Sequence, residues 1–587
     1  MAQMRPPGVY QAPTEQRYTP INLTPSGVVG FVGLTEKGPT NEAVKLTEAK
    51  QFKDQFGRLP FETYLESSVL GFFENGGTEC YVLRVCHLSD TGRGEVAKPA
   101  QYQLHDANRK PSILVQAKNE GSWGNGVSVQ VERPEARIQT LLTLDMHDGD
   151  LAATIRSTHG FRRGTVVHIH DDDHSEYRTI TEVHGRDKTI HWRIDMPMVR
   201  KFESGAPTYL EPVEFNLVIS TLHDREVFRE LSMAPNSDNY FVRVVNAQSR
   251  LVELTDLRND SSIADRYPAT TEEVQLSGGT DGLYNVVPDD FIGMNIGPRE
   301  RFGLAAYEAN TAIDLLVIPD LYWCLENSSG FRTMKDVQVV QMAMIQQSES
   351  LRDRFAILDF PNYTQWIQAM QWRLMFDSAY AAFYFPWVQI EVNGKSKIVP
   401  PSGHVAGIYS RCDQSMGVHR APANEALEGV VDLSVLLNDK DIGELNAQGI
   451  NCIRSFAKRG LRVWGARTIS SEPHNRYINV RRTILAIIRA MRQNLQWVVF
   501  EPNDPRLWKS ISHAVEHFLL NLWKAGYFKG HSPEEAFYVK CDSETNSPEV
   551  RDAGQVVVEV GVAPVRPAEF IVFRLAEESA QVGPIAS

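Results

Sequence analysis

The pattern of apolar residues changes type twice along the chain, and this constrains the fold more than any single motif does. In residues 26–86, two strand-like runs ("SGVVGFVGL" and "ECYVLRVC") flank two stretches with helical spacing ("LTEAKQFKDQFG" and "FETYLESSVLGFFENGG"). From about 90 to 275 the sequence consists of short alternating runs between polar turns, which is typical of β-hairpins. The first pattern resumes after "LSGGTDG" (276–282). One α/β domain interrupted by a β-rich insertion explains all three stretches.

The C-terminal third has a more regular helical pattern. "NVRRTILAIIRAMRQNL" (479–495) is amphipathic, and we expect its arginines, opposite the apolar face, to contact solvent or a partner: Arg481, Arg482, Arg489 and Arg492. "DPRLWKSISHAVEHFLLNLWKAG" (504–526) begins with an aspartate at a cap position and ends at a glycine. Residues 554–575 form two strand-like runs joined by a proline-rich bend.

We therefore predict a multidomain α/β (α+β) protein. The expected parts are an extended N-terminal arm (1–22), a central α/β domain (23–90 and 276–430), a β-rich insertion (91–275), a C-terminal helix-and-sheet domain (431–565) and a C-terminal strand and arm (566–587).

The stretch "VVHIHDDDHSEYRTI" (166–180) carries metal-binding residue types. Its spacing comes within one residue of the His-x-His-x-Asp-His pattern of metallo-β-lactamase-like hydrolases. One alternative is therefore a metal-dependent hydrolase that uses His168, His170, Asp172 and His174. The sixth position of that pattern, however, holds Asp173 instead of histidine. Alternating residues around a polar "DDDHS" favour a β-hairpin with a solvated tip, so we predict no metal ligands here.

A second group of reactive residue types lies in "SGHVAGIYSRCDQSMGVHRAP" (402–422), with His404, Ser410, Cys412, Asp413 and His419. Neither the serine nor the cysteine lies in a recognised nucleophile motif. "LSGGTDG" also lacks the lysine and hydroxyl of a phosphate-binding loop, which indicates a turn. We predict no catalytic residues, no cofactor and no enzymatic activity.

Composition limits the classes of partner. The chain has 60 basic and 73 acidic residues, a net charge of −13, which argues against nucleic acid as the main partner. Its six cysteines form no C-x-x-C pair, as expected in a reducing cytosol. The longest uncharged apolar run, 378–388, is far shorter than the ~20 residues of a membrane helix, and "MAQMRPPGVYQAP" lacks a signal-peptide core. We expect synthesis in the bacterial cytoplasm and no direct membrane insertion.

The order of several short segments resembles the contractile tail sheath proteins of phages and of related bacterial contractile injection systems. In chain order these segments are "PGVY" (7–10), "GFVGLTEKGPTNEAVKLTEAKQFKDQFG" (30–57), "YLESSVLGFFENGGTECYVLRV" (64–85), "NEGSWGN" (119–125), "LSGGTDG" (276–282), "PPSGHVAGIYSRCDQSMGVHRAPAN" (400–424), "LNAQGINCIRSFAKRGLRVWGARTIS" (445–470) and "GVAPVRPAEFIVFRL" (561–575). Residues 130–275 resemble the family least.

The resemblance implies a structural subunit that polymerises as stacked hexameric rings around an inner tube. Such a sheath contracts once and drives the tube through a target envelope. The expected partners are further copies of this chain, an inner tube protein, and baseplate and tail-terminator or cap proteins, within a phage tail or a host-encoded particle. A different structural tail or baseplate component is the second alternative.

In the resembled family the insertion faces outward and the C-terminal domain faces the tube, mainly through a short charged helix. The best candidate here is "SPEEAFYVKCD" (532–542), with Glu534, Glu535 and Lys540, and Lys524 and Lys529 as alternatives. We also expect the chain ends to join neighbouring subunits by strand addition, because the first is proline-rich and the last is apolar on both faces. The residues concerned are Val9, Tyr10, Phe570, Ile571, Val572, Phe573 and Leu575.

Overall fold

The computed structural model describes residues 20–57, 63–88, 95–134, 138–297, 300–363 and 365–569, and the structural statements below concern these ranges. The helices are α1 Ala49–Phe56, α2 Leu65–Glu74, α3 Phe241–Gln248, α4 Pro288–Ile292, α5 Leu321–Asn327, α6 Met334–Leu351, α7 Trp366–Arg373, α8 Ser402–Ser415, α9 Asp439–Ala447, α10 Ile478–Asn494, α11 Pro505–Lys524, α12 Pro533–Ala536 and α13 Pro548–Asp552.

The strands before residue 300 are β1 Val29–Gly33, β2 Val44–Leu46, β3 Cys80–Arg84, β4 Gln101–His105, β5 Pro111–Ala117, β6 Ser128–Glu132, β7 Thr140–Leu141, β8 Ala152–Thr154, β9 Val166–His170, β10 Ser175–His184, β11 Thr189–Trp192, β12 Tyr209–Pro212, β13 Phe215–Ser220, β14 Arg225–Leu231, β15 Val252–Asp256, β16 Val274–Gln275 and β17 Asn295–Gly297. The later strands are β18 Glu300–Arg301, β19 Leu315–Val317, β20 Phe355–Asp359, β21 Ala381–Phe385, β22 Val388–Val392, β23 Lys395–Val399, β24 Val430–Leu433, β25 Ile450–Phe456, β26 Gly460–Trp464, β27 Phe537–Lys540 and β28 Glu559–Val562.

An eight-stranded sheet with the order β2-β3-β1-β19-β20-β21-β25-β26 forms the centre of the molecule. The inner strands are parallel, while the edge strands β2 and β26 are antiparallel to their neighbours. Its inner strands are continuously apolar because both faces are covered: Val32 and Leu316 contribute to one buried cluster, and Phe31 and Leu315 to the other. The predicted α/β domain is thus confirmed. Within the described ranges, the helices lack the combination of length and apolar character needed to cross a membrane.

The central sheet continues further along the chain than we expected. Strands β25 and β26 complete it, and β25 lies parallel to β21, with Phe383 opposite Ile450. The predicted domain boundary at residue 430 therefore does not coincide with the end of the sheet. The reason is that β25 reaches its neighbour only after a long crossover that contains α8 and α9, so local patterns do not show the pairing.

The chain leaves the central domain and returns to it at one place, where the two segments that connect the insertion pair with each other. Antiparallel bridges join Lys98 to Thr280 and Gln101 to Ser277. The "NEGSWGN" and "LSGGTDG" segments are locked together there: the Asn125 side-chain amide donates to the Gly279 carbonyl and accepts from the Gly279 N–H, both at 2.9 Å. The glycine-rich segment thus has a structural role, but it is an extended stretch bridged to residues 98–101 and not the turn that we predicted.

The insertion consists of two lobes, one inserted in the other. The inner lobe contains β4, β5, β6, β13, β14, β15, β16 and α3 around one core. The outer lobe (residues 138–212) is a six-stranded sheet with the order β7-β12-β9-β10-β11-β8 and a core of its own. Glu132 and Asn216 are paired where the chain enters and leaves the outer lobe.

The C-terminal part packs α10 and α11 against the two-stranded sheet of β27 and β28. Asp504 caps α11 by accepting the N–H groups of Arg506 and Leu507, as its sequence predicted. The N-terminal segment 20–26 lies along α10: Ile21 belongs to the same core, and Thr24 donates to Gln493 at 2.9 Å.

Candidate functional site

The histidine–aspartate stretch is a β-hairpin, as predicted. Strand β9 pairs with β10 and the tip lies between His170 and Ser175. Asp171 stabilises the tip, because its Oδ1 accepts the N–H groups of Asp173 at 2.8 Å and His174 at 2.6 Å. The first of the three aspartates thus stabilises the turn itself.

The structure brings together two of the four residues of the hypothetical hydrolase site. His168 and His170 lie on one face of β9, since Val167 and Ile169 point into the core of the outer lobe. Glu211 on the neighbouring strand β12 is paired with His168, so its side chain lies beside the two imidazoles. His168 Nδ1 is 3.3 Å from Glu211 Oε1, and His170 Nε2 is 3.7 Å from the same oxygen.

Asp172 and His174 do not belong to this cluster. Asp172 is exposed at the tip, and His174 lies 3.7 Å from Asp171 and packs edge-on against Phe202. Within the described part of the chain, the group of residues able to hold a metal ion is His168, His170 and Glu211. Sequence reasoning missed Glu211, which is 43 residues from His168 and becomes its neighbour only through strand register.

The second group of reactive residue types lies on or beside helix α8, inside the central domain. His404 packs so closely against α2 that a Cβ on residue 71 would lie 2.5 Å from its imidazole, which explains Gly71. Burial lowers the pKa of His404 to about 4 and raises the pKa of Cys412 to about 12. Asp413 pairs with an arginine of α10, and the His419 ring contacts that of Tyr527. These residues maintain packing and do not form a nucleophile–base pair.

Two acids at the carboxyl ends of central strands are also structural. Ligands often bind at this edge of a parallel sheet. Here Asp320 accepts the N–H groups of Leu34, Tyr64 and Leu65 at 2.8, 2.6 and 3.0 Å. Asp359 accepts the N–H and the hydroxyl of Ser402 and so anchors the start of α8.

A buried ion network links three distant parts of the chain. Arg482 of α10 donates to Asp413 of α8 at 2.9 and 2.6 Å and to Asp314 at 3.0 Å. Arg489 lies 3.5 Å from Asp314, which also accepts the N–H of Val28 at 2.7 Å. The prediction that the arginines of α10 face solvent or a partner is therefore wrong for Arg482 and Arg489, whose side chains are 3% and 4% exposed. Arg492 is exposed.

The charged residues considered for tube contact lie in one region of the C-terminal part. Lys524 ends α11, and the turn that follows is held by a hydrogen bond from Trp523 to the Gly530 carbonyl. Glu534 is exposed and accepts a hydrogen bond from Ser532, which lowers its pKa. Glu535 is exposed and accepts the N–H of His531 at 2.9 Å.

The helix predicted for 532–542 is shorter than expected. Helix α12 covers Pro533–Ala536, and Phe537–Lys540 is strand β27, paired with β28. The aromatic and β-branched residues Phe537, Tyr538 and Val539 favour a strand and explain the change. Lys540 therefore lies on a strand, where it forms an ion pair with Glu544. Lys529 is exposed beside this sheet, and its N–H donates to the Ala563 carbonyl.

The predicted arm residues lie outside the described ranges, namely Val9, Tyr10, Phe570, Ile571, Val572, Phe573 and Leu575. The described chain fixes the segments next to them. Arg489 donates to the Pro25 carbonyl at 3.3 Å. Near the other end, Glu569 accepts two hydrogen bonds from Arg467 at 2.9 and 2.5 Å.

Comparison with known protein families gives two adjacent matches. The central domain of phage tail sheath proteins matches residues 333–469, and the C-terminal domain of phage tail sheath proteins matches residues 470–576. The boundary between the two matched domains comes shortly after β26, the last strand of the central sheet.

Curated relatives agree with these matches. A putative prophage major tail sheath protein of Pseudomonas aeruginosa is 26% identical over 244 residues, which cover 40% of this chain and 61% of that protein. The tail sheath protein of Burkholderia phage BcepMu is 29% identical over 200 residues, which cover 32% of this chain and 41% of the phage protein. The aligned regions thus span less than two thirds of either relative.

Two solved structures share the fold over nearly the whole chain. The helical sheath of the anti-feeding prophage in its contracted state has a TM-score of 0.53 at 19% identity, covering 98% of this chain and all of that one. The sheath tail protein of Listeria innocua has a TM-score of 0.52 at 11% identity, covering 93% and 96%. Residues 333–576 thus match phage tail sheath domains, and the chain as a whole shares the fold of contractile tail sheath proteins, which it resembles.

Proposed function

We propose that this protein is the structural subunit of a contractile sheath, which polymerises as stacked hexameric rings around an inner tube. The observation that carries the proposal is the succession of the two sheath domains along one chain, from residue 333 to residue 576. Contraction of the assembled sheath drives the tube through a target envelope.

The role is mechanical and not enzymatic. Two of the reactive side chains have structural roles. His404 packs against α2, and the carboxylate of Asp320 accepts hydrogen bonds from backbone N–H groups. In this proposal the work of contraction is stored in subunit interfaces as a kinetically trapped, high-energy arrangement, so the subunit needs no cofactor. Head-to-tail contacts between subunits that do not close into a ring generate an open helical assembly, which is the geometry that a sheath requires.

The chain ends join neighbouring subunits by strand addition. The sheet of β27 and β28 supports this proposal. It has two strands in the described part of the chain, and an isolated two-stranded sheet has only marginal stability in water. Residues 1–19 and 570–587, which contain the predicted arm residues, are long enough to supply further strands from other subunits. Backbone hydrogen bonds then maintain the connection whatever side chains face each other.

The charged surface around Glu534, Glu535, Lys524, Lys529 and Lys540 contacts the inner tube. Its exposure and its place in the C-terminal part support this assignment. Baseplate and terminator or cap proteins bind the ends of the sheath. The particle is assembled in the bacterial cytoplasm as part of a phage tail or a contractile injection system.

Electron microscopy of the overexpressed protein at high concentration tests the proposal directly. We expect hollow, striated tubes with sixfold symmetry in cross-section. Discrete monomers, or single rings that never stack, would contradict a sheath subunit and favour another tail or baseplate component.

A further inference from the structure

The outer lobe carries a side-chain cluster that the sheath function does not use. His168 and His170 are separated by one residue on β9, so both imidazoles leave the same face of the strand. Glu211 on the adjacent strand β12 completes the group, and one potential ligand atom from each residue lies within 4.8 Å of the others.

The distances agree with those between ligands of one zinc ion. Two ligands about 2.0–2.1 Å from zinc at tetrahedral angles are separated by about 3.3 Å. The corresponding separations are 3.3 Å from His168 Nδ1 to Glu211 Oε1 and 3.7 Å from His170 Nε2 to the same oxygen. Both separations are thus close to the spacing of two ligands of one zinc ion.

The cluster contains a polar atom without a partner. His170 Nε2 is buried and forms no hydrogen bond. Such an atom costs free energy in a folded protein, and a metal ion would remove that cost.

Aromatic rings pack against both imidazoles of the cluster. The His168 ring is stacked between those of His170 and Tyr177, with 4.5 Å between ring centroids on each side. Tyr209 packs against His170, 5.7 Å away. Because an imidazole coordinates a metal through a lone pair in the plane of its ring, binding of one ion by both histidines requires one ring to turn out of this stack.

An ion can reach the cluster through a cavity between the two lobes. The cavity has a volume of about 590 Å³, and His168, Tyr177 and Glu211 of the outer lobe contribute to its wall. Its lining also includes Glu214, Glu230, Asp265 and Arg133, so carboxylates outnumber the basic group. An acidic lining attracts cations and raises their local concentration.

We propose that His168, His170 and Glu211 form a binding site for a divalent transition-metal ion, with zinc as the best-fitting ion. Two imidazoles and one carboxylate suit zinc, whereas magnesium and calcium prefer ligand sets made of oxygen. Three protein ligands leave a fourth position for water. The ion connects β9 to β12 and stabilises the outer lobe, independently of the sheath function.

The test uses the full-length protein without a histidine tag, stripped with a chelator and titrated with zinc alone. We expect about one zinc per chain by mass spectrometry, a higher melting temperature with zinc, and a tetrahedral cobalt absorption spectrum after substitution. His170→Gln and Glu211→Gln should each weaken binding by at least about 10–100-fold, the cost of losing an outer-shell partner, because each removes a direct ligand.

His184→Gln is the matched control, since His184 is an exposed histidine of the same sheet, 3.1 Å from Glu182. It should bind zinc as the wild type does. The melting temperatures of the metal-free variants show whether the variants are folded. The increase in the melting temperature of the wild type on adding zinc tests the proposal without any substitution. Absence of zinc binding by the wild type, or full binding by both cluster variants, would overturn the proposal.

Discussion

Arg482 and Asp413 form a two-bonded ion pair, at 2.9 and 2.6 Å, between side chains that are 3% and 1% exposed. The pair joins α10, the first helix of the C-terminal part, to α8 of the central domain. Because Asp314 also contacts Arg482, one guanidinium neutralises carboxylates from two separate segments.

Replacing Arg482 by methionine should strongly destabilise the subunit. The substitution leaves the negative charges of Asp314 and Asp413 buried with less positive charge beside them. Removing one partner of a buried ion pair costs about 3–5 kcal/mol of stability. The measurement is the free energy of unfolding in urea. Arg492→Met is the control on the same helix, since Arg492 is exposed. Equal stability of the two variants would show that the buried network contributes little.

The same residues show what a single sequence can and cannot reveal. The spacing of apolar residues was sufficient to predict α10, and that helix is observed. Its arginines were assigned to the exposed side because arginine is rarely fully buried without a partner. Those partners lie 69 and 168 residues away, and no local pattern connects them.

Asp359→Asn should change how stability depends on pH. Burial raises the pKa of Asp359 to about 7, from 3.8, so the folded state binds a proton more tightly than the unfolded state does. Stability from this group is therefore full below about pH 4 and is lost as pH rises through about 7. We expect the stability of the variant relative to wild type to increase by at least about 1 kcal/mol as pH rises from 5 to 8, since one pKa unit corresponds to roughly that free energy.

Asp377→Asn is the matched control for that measurement. Asp377 accepts the N–H and hydroxyl of Ser471 just as Asp359 accepts those of Ser402, but Asp377 is exposed. The hydrogen bonds lower the pKa of Asp377, so this variant should lose stability relative to wild type as pH rises from about 3 to about 5. Parallel pH profiles for the two variants would contradict the assignment of the effect to burial.

Removing the outer lobe should leave assembly intact. The variant to test replaces residues 134–213 by a short glycine–serine linker, because Glu132 and Asn216 are already paired at the base of the lobe. We expect a folded protein that forms tubes visible by electron microscopy. A folded variant that no longer polymerises would make the outer lobe an assembly interface.

Glu534→Lys should weaken attachment to the tube without affecting folding. Glu534 is exposed, so the charge reversal disturbs no buried contact. Co-purification with the tube protein should fall, and the loss should depend on salt because the contact is electrostatic. Glu516→Lys, an exposed glutamate on α11, is the control. Unchanged co-purification would move the contact away from α12, for instance to Lys524 or Lys529.

Deleting residues 1–19 should give a folded subunit that does not form tubes. The deletion leaves Ile21 in the C-terminal core and keeps the contact between Pro25 and Arg489. Melting temperature should therefore match wild type. A longer deletion, of residues 1–26, removes those contacts and should lower the melting temperature as well. Normal tubes from the shorter deletion would rule out an essential N-terminal arm.

Other parts of the fold differ in how far local patterns could predict them. The hairpin around residues 171–174 was predictable, because both its strands and its turn are local. The metal-like cluster was not, since Glu211 enters it only through the pairing of β9 with β12. The helix expected at 532–542 failed after Ala536, where the strand preference of Phe537–Val539 and pairing with β28 prevail over the helix start signal.

The contacts of the N-terminal segment also define a path for mechanical load. The N–H of Val28 donates to Asp314 at 2.7 Å, and Asp314 is held by Arg482. A pull on the chain ahead of Pro20 would therefore reach the interior of the subunit through this carboxylate, close to β1. Resistance to such tension is set by the rate of forced unfolding and not by equilibrium stability. The buried arginine would thus act as a mechanical anchor, whose strength single-molecule pulling from residue 20 could compare between wild type and Arg482→Met.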